Sequence, residues 1–188
     1  MPAIHLTHCT FSPYRLPLRQ PWVSACGGFS VREGWLVRLS TDAGWVGYGD
    51  CAPLPQAGTE SIESAAACLS DWVATLPGLS LEEALGSISA SADGTPAAIC
   101  GLETALFDLL AQQARLPLAR WLNPHSSSDV KVNAVLGGMD RQVTERALAA
   151  VAESYSVLKV KVGLTAGHGE IHLLHDLAHS PPSGNSLR

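Results

Sequence analysis

Two lysines, Lys159 and Lys161, stand two positions apart in the run Val157-Leu158-Lys159-Val160-Lys161-Val162-Gly163. Side chains alternate across a strand, so both amines leave one face while Leu158, Val160 and Val162 leave the other. The apolar face can pack beneath helices. The amine face must meet water, an anion, or a site that uses an amine. The plainer reading is an exposed edge strand, since lysines are a common device against edge pairing. The surrounding order of strand, helix, strand and helix instead predicts a parallel sheet buried on both faces. In a closed parallel barrel both ammonium groups would point inward, and burying them is costly unless they serve a function.

Other residues invite chemistry and support it less. His168, His172, His175 and His179 fall on one side of a helix, but no carboxylate or cysteine completes a closed metal set. That stripe reads as the solvent face of an outer helix. Asp50 and Glu60 flank one loop and read as anchors within it. Cys51 has no histidine or helix terminus beside it to make a thiolate, so it reads as an inert thiol. The five tryptophans are irregularly spaced, which suits packing and not base stacking.

The elements that must position the lysines follow in order. Residues 3–18 alternate loosely as a strand ending near Pro21, and Val23–Phe29, with Gly27-Gly28, reads as a mobile loop. Trp35–Ser40 and Trp45–Gly49 flank Thr41-Asp42-Ala43-Gly44, which predicts a hairpin. Cys51–Gly58 is a second loop. Thr59 or Ser61 then starts a helix to about Leu76, Leu81–Ile88 gives a shorter one, and Thr95-Pro96 predicts a hydroxyl cap with proline at the first helical position. Ile99, Leu102, Leu106 and Leu109 form one apolar stripe at helical spacing.

The character changes near His125-Ser126-Ser127-Ser128, taken as a linker. Residues 1–125 therefore read as one α+β domain and 126–188 as a second unit. The second unit holds a strand over Val130–Leu136, a helix capped by Asp140 and carrying Val143, Ala147 and Val151, the lysine strand, and a helix from about Gly167 to Ala178. Asn185-Ser186-Leu187-Arg188 resembles the start of another strand.

Charged residues are 15% of the 188 and the formal net charge is −5, so no basic cluster points to nucleic acid. No stretch of about 18 apolar residues predicts a membrane span. Met1-Pro2-Ala3-Ile4-His5 lacks the features of a signal peptide. The scattered cysteines read as reduced thiols, which predicts a cytoplasmic protein.

With these motifs in place, the chain resembles the enolase superfamily, and within it the muconate-lactonising subgroup. Leu158-Lys159-Val160-Lys161-Val162-Gly163-Leu164 is similar to the Lys-x-Lys second barrel strand of that family. Gly47-Tyr48-Gly49-Asp50-Cys51-Ala52-Pro53-Leu54-Pro55 resembles its GxGExxPLP region, with Asp50 where the family has glutamate. Leu102–Ala111 resembles its AxxxALxDLxA helix. The resemblance runs the length of the chain, and within the subgroup the o-succinylbenzoate synthase family looks nearest. Dipeptide epimerases, N-succinylamino acid racemases and muconate cycloisomerases share most of these features.

The resemblance implies a capping α+β domain followed by the start of a (β/α) barrel. It implies Mg²⁺-assisted removal of a proton next to a carboxylate, from a small-molecule carboxylate substrate. Lys161 would match the general base or acid. Lys159 beside it would lower an amine's pKa by charge repulsion. The loops Val23–Phe29 and Cys51–Thr59 resemble the cap loops that close over substrate, which assigns substrate contact to Gly28, Phe29, Leu54, Gly58 and Thr59. For o-succinylbenzoate synthase the outcome would be elimination of water from a cyclohexadiene carboxylate.

The family's metal ligands lie on the third, fourth and fifth barrel strands, and this sequence stops at Leu187-Arg188, where the third would begin. The expectation is an incomplete barrel that binds no Mg²⁺ by itself. Such a barrel predicts self-association into a homo-oligomer, or instability. A non-catalytic truncated remnant is the alternative from another class.

Overall fold

Three strands, β1 (Leu6–Ser24), β2 (Gly27–Thr41) and β3 (Val46–Cys51), hydrogen-bond in the order β1-β2-β3. The computed structural model describes residues 3–24, 27–91, 94–163 and 169–179. β2 and β3 run antiparallel, with Trp35 opposite Cys51 and Ser40 opposite Val46. The hairpin forms where the sequence predicts it. Gly44 takes φ 79° in the turn, a conformation that costs glycine nothing, and the Thr41 hydroxyl accepts the Trp45 N–H at 3.1 Å. Val37, Leu39 and Cys51 are fully buried, whereas Leu36 and Tyr48 on the opposite face are exposed. Val23–Phe29, read from sequence as a mobile loop, is strand on both sides: β1 runs on to Ser24 and β2 starts at Gly27. The Gly27-Gly28 pair misled because glycine marks a turn, yet Gly27 supplies its φ of 115° from within β2.

Helices α1 (Ile62–Thr75), α2 (Leu81–Ala90), α3 (Pro96–Gln113) and α4 (Leu118–Leu122) follow. Ser61 caps α1 by accepting the Ser64 N–H at 3.2 Å. Ser80 and Glu83 form a reciprocal capping box on α2. The predicted hydroxyl cap of α3 is absent, because Thr95 donates to the Cys68 sulfur at 3.3 Å instead. The buried carboxylate of Glu60 takes its place, accepting the N–H groups of Ala97 at 3.0 Å and Ala98 at 2.8 Å. A carboxylate satisfies two orphan donors at once and sets a negative charge at the positive helix end, which a single hydroxyl cannot match.

The predicted stripe of α3, Ile99, Leu102, Leu106 and Leu109, is buried. The helix meets β3 so closely that a methyl group at Gly47 or Gly49 would run into the carbonyl oxygens of Ala105 and Gly101. α3 also attends to the outer edge of β3. Asp108 accepts the Tyr48 N–H at 3.3 Å, and Gln112 donates to the Val46 carbonyl at 2.9 Å.

Chain contacts divide the molecule into two units, Met1–Trp22 with Phe29–Ser126, and Val23–Gly28 with Ser127–Arg188. The second contains β4 (Ala134–Gly138), α5 (Val143–Ala152), β5 (Leu158–Lys161) and α6 (Gly169–His179). β4 and β5 are parallel, the βα arrangement expected from sequence. Their core joins Leu136, Met139, Val143, Ala147, Ala150 and Leu158. The strand expected over Val130–Leu136 is displaced. Val130 and Val132 are 80% and 63% exposed, and pairing begins at Ala134 because its partner Leu158 is the first residue of β5. Asp140 does not occupy the capping position of α5, which falls to Gln142. Asp140 sits two residues earlier and accepts the Gln142 N–H at 2.9 Å. His168 and Asn185–Arg188 lie outside the described residues.

Candidate functional site

Leu158 and Val160 turn into the core of the second unit, which leaves Lys159 and Lys161 on the other face of β5. Lys159 is exposed and Lys161 half-buried. The Lys161 amine donates to the backbone carbonyl of Val23. After Lys161 the strand ends. Val162 is exposed, Gly163 takes φ 76°, and the Gly163 N–H donates to the Glu170 carboxylate at 2.7 Å. Glu170 lies in the first turn of α6, so this bond ties the β5–α6 connection at its two ends.

In the first unit, Phe29 and Leu54 line one open groove of about 350 Å³ with Arg32, Pro53, Gln56, Ser61 and Glu63. Gly58 closes the short helical turn Pro55–Ala57 with φ 94°. Thr59 is turned toward its own loop, where its hydroxyl accepts the Leu54 N–H at 2.5 Å. The Arg32 guanidinium donates to the carbonyls of Ala52 and Pro53. Gly28, counted with the second unit, is exposed at the start of β2.

Beside this loop Tyr14 donates to Asp50 at 2.7 Å, and burial together with that hydrogen bond pushes the phenol up to about 12. Burial, reinforced by the Glu60 and Asp50 carboxylates, pushes the Cys51 thiol up to about 12. The thiolate is disfavoured there, so Cys51 is an inert core residue. His172, His175 and His179 are exposed on α6, with the last two rings stacked at 3.9 Å between centroids. Among the described residues no three His, Cys, Asp or Glu side chains are placed to hold a metal ion. The described residues do not fit a Mg²⁺ site.

Two arginines escaped the sequence reading. Arg32 stands beside Glu33 in β2, and Arg146 follows Asp140 by six positions, a spacing that carries no recognised motif. Each donates to two backbone carbonyls, and Arg146 also pairs with Asp140.

A family model described as the mandelate racemase / muconate lactonizing enzyme, N-terminal domain, matches residues 7–122. The chain belongs to this family. Among curated proteins it is 27% identical over 154 residues to an N-succinyl-L-Arg/Lys racemase of Bacillus cereus, covering 79% of this chain and 42% of the relative. It is 29% identical over 177 residues to an o-succinylbenzoate synthase of Thermosynechococcus vestitus, covering 93% of this chain and 48% of the relative. Among solved structures, a dipeptide epimerase of Methylococcus capsulatus, complexed with Mg and the dipeptide L-Arg-D-Lys, superposes with a TM-score of 0.84 at 23% identity. That match covers 98% of this chain and 53% of the other. It is a likeness of fold: a capping domain followed by the first parallel strands. The chain spans about half the length of the relatives it matches.

Proposed function

We propose that this protein serves in the removal of a proton alpha to a carboxylate, with Lys161 as the proton-transferring amine and Lys159 as its charged neighbour. The observation that carries this reading is the placement of both lysines on one face of β5, with Lys161 at its C-terminal end. In parallel βα architectures substrates gather at the C-terminal ends of strands, where reactive side chains can meet them. Gly28, Phe29, Leu54, Gly58 and Thr59 are assigned to substrate selection. Leu54 and Phe29 do so through the groove they share, and Thr59 by holding the loop. The substrate class is a small carboxylate, with Mg²⁺ as the metal of the full activity.

Two products are in view. Dehydration of a hydroxycyclohexadiene carboxylate to o-succinylbenzoate is supported by the synthase that matches over 93% of the chain. Epimerisation of an N-succinylated amino acid or dipeptide is supported by the racemase and by the epimerase whose fold is shared. Both begin with the same proton abstraction.

The test uses protein purified from its own cells, with Mg²⁺, in deuterated water. Exchange of the alpha proton of an N-succinyl amino acid or dipeptide favours epimerisation, whereas appearance of an aromatic product favours the synthase. Either activity should vanish in Lys161→Met. Full activity in that variant, or none from the parent on any of these substrates, overturns the reading.

A further inference from the structure

The pairing of β4 with β5 contains one irregularity. Ala134 stands opposite Leu158 and Val135 opposite Lys159, but the next pairs are Gly137 with Val160 and Gly138 with Lys161. Leu136 is thus an extra residue, a β-bulge. In an uninterrupted ladder Leu136 would face Val160 and Gly137 would face Lys161. The bulge advances β4 by one position and places Gly138, which has no side chain, beside the lysine. Gly137 supplies the φ of 79° within it, and the Leu136 side chain is buried in the core of the second unit.

A bulge leaves backbone groups of the extra residue outside the ladder, and a carbonyl left there needs another partner. Arg146, on α5, provides it. Its Nε donates to the Leu136 carbonyl at 2.7 Å, and its Nη2 donates to the Gly138 carbonyl at 3.0 Å. The same Nη2 lies 3.0 Å from an oxygen of Asp140, and the arginine side chain is only 27% exposed. One planar fork therefore holds the extra residue and the residue opposite Lys161.

We infer that Arg146 is a positioning residue for Lys161. It acts through the bulge: by holding the carbonyls of Leu136 and Gly138 it fixes which β4 residue lies beside the amine-bearing position. A lysine at 146 offers one nitrogen where the guanidinium uses two, Nε and Nη2, so it cannot reproduce this two-nitrogen grip. The inference deepens the proposed role of Lys161 and rests on it for its meaning in catalysis. The geometry can be tested without any activity.

The sequence has three lysines, Lys131, Lys159 and Lys161, so each side chain can be followed by NMR. The variants are Arg146→Met, Arg146→Lys and Asp140→Asn. In Arg146→Met the Lys161 side-chain signal should move, and amide exchange at Gly138 and Lys161 should quicken by about tenfold or more. Lys131 and the Val37 amide should not change. Arg146→Lys should restore part of the parent spectrum, and Asp140→Asn, which leaves both carbonyl bonds in place, should keep the Lys161 signal. The inference fails if Arg146→Met leaves Lys161 unmoved, or moves Lys131 and Lys161 alike. Should Arg146→Met not fold, Arg146→Lys decides by the same signal: an unmoved Lys161 overturns the inference, an intermediate shift supports it. Loss of activity with an unmoved Lys161 signal would also count against it, while leaving the role of Lys161 standing.

Discussion

Glu60 accepts the backbone N–H of Ala98 at 2.8 Å, 38 residues further along the chain. A second bond, from Ala97, makes this buried carboxylate the N-terminal cap of α3. Replacing it by alanine strands two buried donors and should cost about 2–4 kcal/mol. Glu60→Gln, which keeps one acceptor oxygen, should cost clearly less. Thermal denaturation of the two variants checks the order; equal losses would mean that the side chain matters for its volume and not for its oxygens.

Two glycines should respond to alanine with opposite signs. Gly49 lies against the Gly101 carbonyl with no room for a methyl group. Gly49→Ala must push β3 off α3 and should cost about 3 kcal/mol or more. Gly86 lies inside α2 with open space where its side chain would be. Gly86→Ala should stabilise by about 0.5–1 kcal/mol. Urea unfolding reads both.

The cysteines should separate by reactivity. Cys100 is exposed, Cys68 half-buried, and Cys9 and Cys51 are buried. Among these four described cysteines, iodoacetamide at mildly alkaline pH should label Cys100 before Cys68, and reach Cys9 and Cys51 only on unfolding. Peptide mass spectrometry gives the order. Early labelling of Cys51 would contradict the packing of β3 on α3.

The same thiols impose a pH dependence. Burial raises Cys9 from 9.0 to about 11 and Cys51 from 9.0 to about 12. The folded state therefore holds these protons more tightly than the unfolded chain does. Their contribution to stability is fully present below about pH 9, declines as the unfolded thiols ionise, and is lost as pH rises through the folded values. Cys51→Ala should flatten the alkaline limb of the stability profile, measured by denaturant midpoints between pH 8 and about 11.

Among the described residues of the second unit, Asp140 is a group sensitive to acid pH. Its hydrogen bond to Arg146 holds the carboxyl below its ordinary value of 3.8. A depressed carboxyl stabilises the fold above its unfolded pKa and loses that contribution as pH falls through the folded value. Asp140 is well exposed, so the effect is small. Asp140→Asn should reduce the acid sensitivity of α5, followed by amide exchange at Val143 and Arg146.

What could be read from sequence was what depends on near neighbours. The Asp-Ala-Gly hairpin, the α3 stripe and the alternation around Lys159 and Lys161 each arise within a few residues. The Ser80–Glu83 capping box was also local, and its Ser-x-x-Glu spacing could have been recognised. Glu60 as a helix cap could not, because its partners are set by tertiary packing. Thr95 looked like the cap for want of a competitor. The bulge at Leu136 lay equally out of reach: nothing in Ala134-Val135-Leu136-Gly137-Gly138 says which residue is extra until Arg146 arrives from α5. Glycines were the ambiguous letters, since Gly27 sits in strand, Gly44 in a turn, and Gly47 and Gly49 are there for close approach.

The bonds from Asp108 and Gln112 to β3 bear on how this protein behaves when crowded. A bare strand edge invites a neighbour's strand, and that is one route to fibrils. On β3 the outward N–H of Tyr48 and carbonyl of Val46 are already taken by two side chains one helical turn apart. An incoming strand would have to strip both before it could add, so the sheet is plugged on this side against amyloid-like growth.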